Sequence, residues 1–317
     1  LVTGATGFIG RELCEQLRQL DCDLILLSRY GGQLVSGTSS LAVDLSITPV
    51  DSAMFLGVDV VFHLAGIAHT QASESAYSAV NHHATTALAA AAAAAGVRRF
   101  VFLSSVKAMG AADDAQARDE TACVEPLDPY GRSKILAENA LRDSYSDSAM
   151  SVVILRPPLV YGPGVRGNLG MLQRAVSIGL PRPPPGGLRS MIGRADLVTV
   201  LIECGTVSLT GVRTWIVTDG ERYSLRRSFD ALAAAVGRTP VRAWLPAWCW
   251  RLAAQAYDIA RGRNSSGTDG TLHKLFGDEC YDCSAILAAT DWRPRQTLEE
   301  GMSLTTAPST EPAELSQ

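Results

Sequence analysis

Leu1-Val2-Thr3-Gly4-Ala5-Thr6-Gly7-Phe8-Ile9-Gly10 opens the chain with a short apolar strand that runs through three evenly spaced glycines into the helical pattern Leu13, Leu17, Leu20. A tight turn after a strand needs positive φ, and a pyrophosphate can lie against the backbone only where no Cβ intervenes. Glycine meets both demands. The helix that follows then aims its unpaired N-terminal amides and its dipole at the phosphates. Position straight after a strand and before a helix is what gives the triplet its weight. The chain starts on Leu1 rather than Met, so the first strand is expected to extend upstream of it.

Working outward, short apolar runs alternate with helical stretches. Strands are expected at Leu24 to Leu27, Leu41 to Val43, Val58 to Leu64, Phe100 to Leu103 and Val152 to Leu155. Their near-continuous apolarity means that both faces are covered, which predicts an α/β protein with a doubly wound parallel sheet, the Rossmann arrangement. Thr85 to Ala95 is almost all Ala and stops at Gly96, a helix with a glycine terminator. After Arg156 the texture changes to Pro157-Pro158, Gly162-Pro163-Gly164 and the proline-rich stretch 181–187. The expected division is a dinucleotide-binding domain over 1–156 and a smaller, mainly substrate-binding lobe over 157–317. A strand near 214–218, around Trp215-Ile216-Val217, is expected to return to the sheet. The segment Trp244 to Arg261 reads as an amphipathic packing helix; its charge is low for a membrane anchor.

With 317 residues, 47% hydrophobic and 19% charged, the composition is globular, and a net charge of −4 offers no basic surface for nucleic acid. An anionic ligand must therefore be held by a few placed Arg residues and backbone amides. The seven cysteines are scattered and odd in number, which favours a reducing, cytoplasmic setting over a secreted disulfide framework. Cys280 and Cys283 have metal-ligand spacing without a second pair, so no metal is expected. No apolar run reaches eighteen residues, so no membrane span is expected. His63, His69, His82 and His83 read as packing or surface residues.

The residue that ends the second strand selects the dinucleotide, since an acid there accepts from the ribose 2′-hydroxyl and repels a 2′-phosphate. Here Ser28-Arg29 stands at that point, and Arg29 offers a fork suited to phosphate. NADP is the expected cofactor, with NAD the alternative. Asp44 and Leu45 end the third strand beside the adenine position, and Leu64-Ala65-Gly66 ends the fourth. Tyr130 and Lys134 lie four residues apart on one helix face. An ammonium about 5 Å from the phenol, at an effective dielectric of about 20, is worth about 3 kcal/mol and predicts a Tyr130 pKa brought down from about 10. Ser104-Ser105 falls at the carboxyl end of the fifth strand, where open α/β sheets present their chemistry, and Ser105 can bind the same substrate oxygen.

The glycine triplet, the Ser pair before Tyr130-Gly-Arg-Ser-Lys134 and the stretch Leu155 to Gly164 resemble the extended short-chain dehydrogenases/reductases, and among them the nucleotide-sugar epimerase/dehydratase group. The resemblance implies Tyr130 as acid/base, Lys134 on the nicotinamide ribose and Ser105 on the sugar oxygen. It implies that Gly4, Gly7, Phe8, Ile9 and Gly10, with Thr6 in the same turn, cradle the pyrophosphate. Leu64, Ala65, Gly66, Asn81, Ser104 and Pro157 would line the cofactor cleft, and Asn168, Leu169 and Arg189 the nucleotide diphosphate of a UDP-sugar. Where dehydratases of the group carry Asp-Glu after the catalytic hydroxyl, this chain has Val106 and Lys107, so elimination is not expected. Leu103 to Gly110 is further similar to bacterial reductases of UDP-4-keto-6-deoxy-N-acetylhexosamines in O-antigen synthesis. The reading is then NADPH-dependent reduction of a 4-keto sugar, with UDP-hexose 4-epimerase and a non-catalytic NADP(H)-sensing module as alternatives. Relatives of this kind often pair as homodimers.

Overall fold

The computed structural model describes residues 1–34, 37–48, 50–68, 72–111, 116–165, 167–185, 187–239, 245–260 and 276–306. His69, Trp244 and Arg261 lie outside them. A large sheet is built from β1 (Val2–Thr3), β2 (Leu26–Ser28), β3 (Gly32–Gln33), β4 (Ser39–Ala42), β5 (Val60–His63), β6 (Arg99–Leu103), β7 (Ser151–Arg156) and a later strand, Val212–Ile216. Its order is Val212–Ile216, β7, β6, β5, β1, β2, β4, β3, and every pairing is parallel except that of β3 with β4. The direction of winding reverses at β1, which pairs β2 on one side and β5 on the other. Ligands of such sheets sit in the crevice at that reversal, outside the carboxyl ends of the strands.

Alternation along the strands separates two cores. Val101 and Val153 face α1 (Gly10–Arg18) and a later helix, Arg194–Thr206, where Leu13, Leu17, Val198 and Leu201 close the layer. Phe100, Phe102 and Ile154 face the opposite layer. There a short helix α2 (Glu74–Tyr77) passes through a π-helical turn at Ser78–His83 into α3 (Ala84–Ala94), followed by α4 (Pro129–Tyr145). The alanine tract forms α3 as expected: Leu88, Ala89 and Ala92 are buried, and Gly96 ends it at φ +81°. Leu20, expected to continue the buried stripe of α1, lies past the helix end and is half exposed.

The second half of the chain does not stay apart from the sheet. Val212–Ile216 returns to pair with β7 residue for residue, Trp215 opposite Leu155. On either side of this return a smaller three-stranded sheet forms from β8 (Leu159–Tyr161), β9 (Leu188–Gly193) and β11 (Arg222–Ser224), taking Val212–Ile216 as β10. Tyr161, Met191, Phe229, Leu298 and Met302 fill its own core beside α5 (Gly167–Ser177). The helix expected around Trp244 to Arg261 runs over Ala247–Ala260, but it leaves Trp248, Leu252 and Ile259 largely exposed instead of packing them. Among the described residues no helix is long and apolar enough to cross a membrane.

Candidate active site

The glycine turn is closed by contacts that only glycine permits. Gly4 sits at φ +69°, and a Cβ on Gly10 would lie 2.1 Å from the Gly4 carbonyl oxygen. Gly7 donates back to Gly4 O at 2.9 Å, and the first turn of α1 follows at once. Thr6, Phe8 and Ile9 are half-buried along the same turn. The amides there have no intrahelical acceptors, so the turn presents donors to an anion. Gly66, after β5, is exposed, and a Cβ on it would come 3.0 Å from Asn81 Oδ1 and 3.4 Å from Lys134 Nζ. A dinucleotide crossing from the β1 turn to the Lys134 end therefore meets backbone at both places, which fits the cradle read from the sequence. Arg194, which the sequence reading passed over, ties this turn to the small lobe. Its guanidinium bonds Pro163 O at 2.8 Å and Glu12 at 3.1 Å, and lies over the Phe8 ring.

At the second strand end, Arg29 is exposed with its guanidinium 5.8 Å from the Tyr30 ring centroid. Asp44 accepts from both the amide and the hydroxyl of Ser46, which holds its carboxyl below the usual range, with a smaller contribution from Arg29. Leu45 packs against the core beneath. No carboxylate stands at Ser28-Arg29, but Asp44 is near enough to act on Arg29.

The catalytic candidates converge. Asp128 caps α4 and Pro129 starts it, which places Tyr130 in the first turn at the carboxyl edge of the sheet. The Tyr130 hydroxyl lies within the influence of Ser105, whose hydroxyl draws the phenol pKa down. Ser105 in turn caps the 3-10 turn Val106–Met109 through Lys107 N. Lys134 is buried one helical turn further on, its Nζ 3.0 Å from Leu103 O and 4.6 Å from the Phe102 ring centroid. One expectation is corrected here. Tyr130 is pushed up to about 12, not down, because burial outweighs the opposing pull of Ser105. Lys134 spends its ammonium on a carbonyl and a ring face, and burial lowers it to about 8 against the pull of Glu138. The phenol therefore holds its proton firmly.

Several other expected residues are placed differently from the reading of the sequence. Ser104 is buried and donates to Glu138 Oε1 at 2.6 Å, so its hydroxyl faces a carboxylate under the site and not the cleft. Leu169 is 5% exposed inside the small core, which leaves its side chain no part in holding a nucleotide. Asn168 lies in the first turn of α5, its side chain outside the described residues. Arg189 is already engaged, with Glu279 at 3.0 Å and Gly277 O at 3.2 Å. Leu64 and Ala65 are half-buried beside Gly66, Asn81 is fully buried beneath them, and Pro157 accepts from Val106 N at 3.1 Å.

Two charged groups surround the site that the sequence did not reveal. Below it, buried Glu138 accepts from Ser104, from Arg156 (2.6 Å) and from Arg142 (2.6 Å). Its spacing of four from Lys134 was the available signal, as was an Arg closing the apolar run of β7. On the other side, Glu279 bridges Lys107 (2.8 Å), two residues past Ser105, and Arg189 of β9. The backbone around Glu279 pairs with Arg189, and that around Tyr281 with Arg118, so this short segment straps the small sheet to the loop below β6. Nothing in the sequence points to Glu279, because its partners lie 172 and 90 residues away.

Comparison with known proteins gives a consistent picture. Residues 1–180 match the model of the NAD dependent epimerase/dehydratase family. A UDP-glucose 4-epimerase of Vibrio cholerae is 32% identical over 96% of this chain and 93% of its own. The structure of MoeE5 in complex with UDP-glucuronic acid and NAD superposes with a TM-score of 0.75 at 26% identity, covering 96% of each chain. A Thermus thermophilus UDP-glucose 4-epimerase complex with NAD shares the fold, with a TM-score of 0.71 and 96% coverage of each chain at 24% identity.

Proposed function

Since the chain belongs to the NAD dependent epimerase/dehydratase family, we propose that it is an oxidoreductase acting at C4 of a UDP-linked hexose, whose net reaction is NADPH-dependent reduction of the 4-keto group of a UDP-linked deoxy N-acetylhexosamine in bacterial surface polysaccharide synthesis. The placement of Tyr130, in the first turn of its helix, within the influence of Ser105 at the strand end carries this reading. A nicotinamide dinucleotide, when bound, supplies the hydride. The chain's own residues handle the oxygen. Ser105 holds the C4 oxygen in line, and Tyr130 gives its proton to that oxygen as negative charge develops there. Lys134, one helical turn beyond Tyr130, would hydrogen-bond the nicotinamide ribose of the bound dinucleotide. A phenol held protonated suits the donation of a proton, which is the direction a reductase requires. Val106 is buried and Lys107 is paired to Glu279, so no acid and base stand where a dehydratase needs them. Arg29, at a strand end without a carboxylate, favours NADP.

A 4-epimerase with bound NAD is the second reading, favoured by the names of the relatives. The two differ in what happens to the cofactor. With a UDP-4-keto-6-deoxy-N-acetylhexosamine the purified enzyme is expected to consume one NADPH per sugar. Interconversion of UDP-glucose and UDP-galactose with no net change in cofactor would replace this reading with the epimerase.

A further inference from the structure

His63 is the last residue of β5, fully buried, and takes no part in the chemistry derived above. Both ring nitrogens are engaged: Nδ1 lies 2.7 Å from Thr3 Oγ1, and Nε2 lies 2.9 Å from Thr85 Oγ1. Counting protons fixes the direction of the Thr85 bonds. The single hydroxyl proton of Thr85 goes to Asn81 O at 2.8 Å, so Thr85 can only accept from the ring, and Nε2 must carry a proton. On the other side Thr3 Oγ1 already accepts from the Ala65 amide at 3.1 Å, which leaves its hydroxyl proton free to point at an unprotonated Nδ1. The ring stacks on Phe102, its cross-strand partner, at 5.7 Å and 18°. Lys134 Nζ lies on that same Phe102 ring. A second cation in this layer is disfavoured by burial and by Lys134, which together bring His63 down to about 3.

The chain of donors joins the two halves of the proposed site. At one end is the Ala65 amide, next to the exposed Gly66 and directly after the strand that flanks the glycine turn. At the other is Asn81, whose amide accepts from Ile67 N (2.8 Å) and donates to Ile67 O (3.0 Å) and Ser133 Oγ (3.0 Å); Ser133 then donates to Tyr130 O at 2.7 Å. We propose that His63, fixed as the neutral Nε2–H tautomer, is a positioning residue that sets the Ala65-Gly66 backbone of the cofactor cradle and the first turn of the Tyr130 helix relative to one another. Its two arms have separate duties. The Thr3 arm serves the cradle, and the Thr85–Asn81 arm serves Tyr130. The Nε2 proton follows from hydrogen-bond accounting and the neutral charge from full burial in a layer that already holds Lys134; the duties assigned to the arms rest on the oxidoreductase reading.

Two measurements on the full chain test this. In histidine-15N-labelled protein, His63 is expected to show a protonated Nε2 and an unprotonated Nδ1 that do not titrate from pH 5 to 8. An imidazolium or the Nδ1–H tautomer in the folded protein overturns the proposal, whatever the enzyme turns out to catalyse. Second, Thr85→Val is expected to lower kcat about tenfold with cofactor Kd within about twofold, Thr85→Ser restoring it, since small misplacements of a catalytic group are costly. Thr3→Val is expected to do the reverse, raising cofactor Kd about tenfold with the smaller effect on kcat. Equal losses in both parameters for both variants, in step with a lowered melting temperature, would reduce His63 to a packing residue. The expected tautomer in a protein that moves no hydride would break the functional reading and leave the tautomer assignment standing.

Discussion

The cofactor side and the substrate side of the cleft are held together by different physics. The cofactor side rests on a buried, neutral hydrogen-bond lattice of Thr3, His63, Thr85, Asn81 and Ser133, with the glycine turn above it and Glu138 below, locked between Arg156 and Arg142. The wall proposed to face the substrate rests on two ion pairs that share Glu279, one to half-exposed Lys107 and one to largely buried Arg189, contributed by segments far apart in the chain. Buried neutral bonds leave little latitude, since each unmade bond costs the full desolvation of its partner. A half-exposed pair such as Lys107–Glu279 is weak and can be exchanged for bonds to a charged ligand.

The sharpest way to break that contrast is at the reacting proton. Tyr130→Phe removes the hydroxyl but keeps the ring against Tyr77, whose centroid lies 6.1 Å away. It should lower kcat by about 10²–10⁴-fold, the usual worth of a general acid, with cofactor affinity unchanged in a fluorescence titration. Next in size is the anchor beneath. Glu138→Gln leaves the buried Arg156 guanidinium without its carboxylate, which should cost about 3–5 kcal/mol in urea denaturation. The same variant should shift the pH profile. Lys134 is charged below its pKa of about 8 and owes part of that value to Glu138. In the wild type, kcat/KM for reduction should hold level on the acid side and fall as pH rises through about 8; in the variant the fall should begin at lower pH. A rate that climbs with pH would instead mark phenolate as the working form. On the facing wall the effects should be smaller and of another kind. Glu279→Gln should raise KM for the UDP-sugar by about three- to tenfold, by loosening Arg189, with little change in melting temperature because the Lys107 end is half exposed. Loss of stability comparable to that of Glu138→Gln would show the two sides to be alike. Smallest of all, Arg98→Ala breaks a fully exposed pair with Asp59 and should leave both activity and denaturation midpoint within error.

The same contrast explains what the sequence disclosed. The strand order and the glycine cradle were legible because their determinants are local: a glycine triplet after a strand, apolar runs covered on both faces, an alanine helix ended by Gly96. Tyr130, Lys134 and Ser105 were legible through helix spacing and position at a strand end; the structure sets Tyr130 within the influence of Ser105 and turns Lys134 to Leu103 O and the Phe102 ring. The Tyr130 pKa was misjudged because spacing places a cation near a phenol without revealing how deeply both are buried or what else the cation touches. Leu169 and Arg189 were assigned from the family resemblance, which says nothing of burial or prior partners in this chain. Glu279 and the Thr3–His63–Thr85 lattice depend on contacts across the sheet and between lobes. A proton count needs coordinates.

In the proposed reaction the Tyr130 phenol protonates the C4 oxygen while hydride arrives at C4 from the nicotinamide. Incubating the enzyme with a UDP-4-keto-6-deoxy-N-acetylhexosamine and NADPH deuterated at nicotinamide C4, then reading the product by NMR, tests it directly. One deuterium at sugar C4, in a single configuration, is the predicted result; a product with no deuterium at C4 while the sugar is turned over would contradict it.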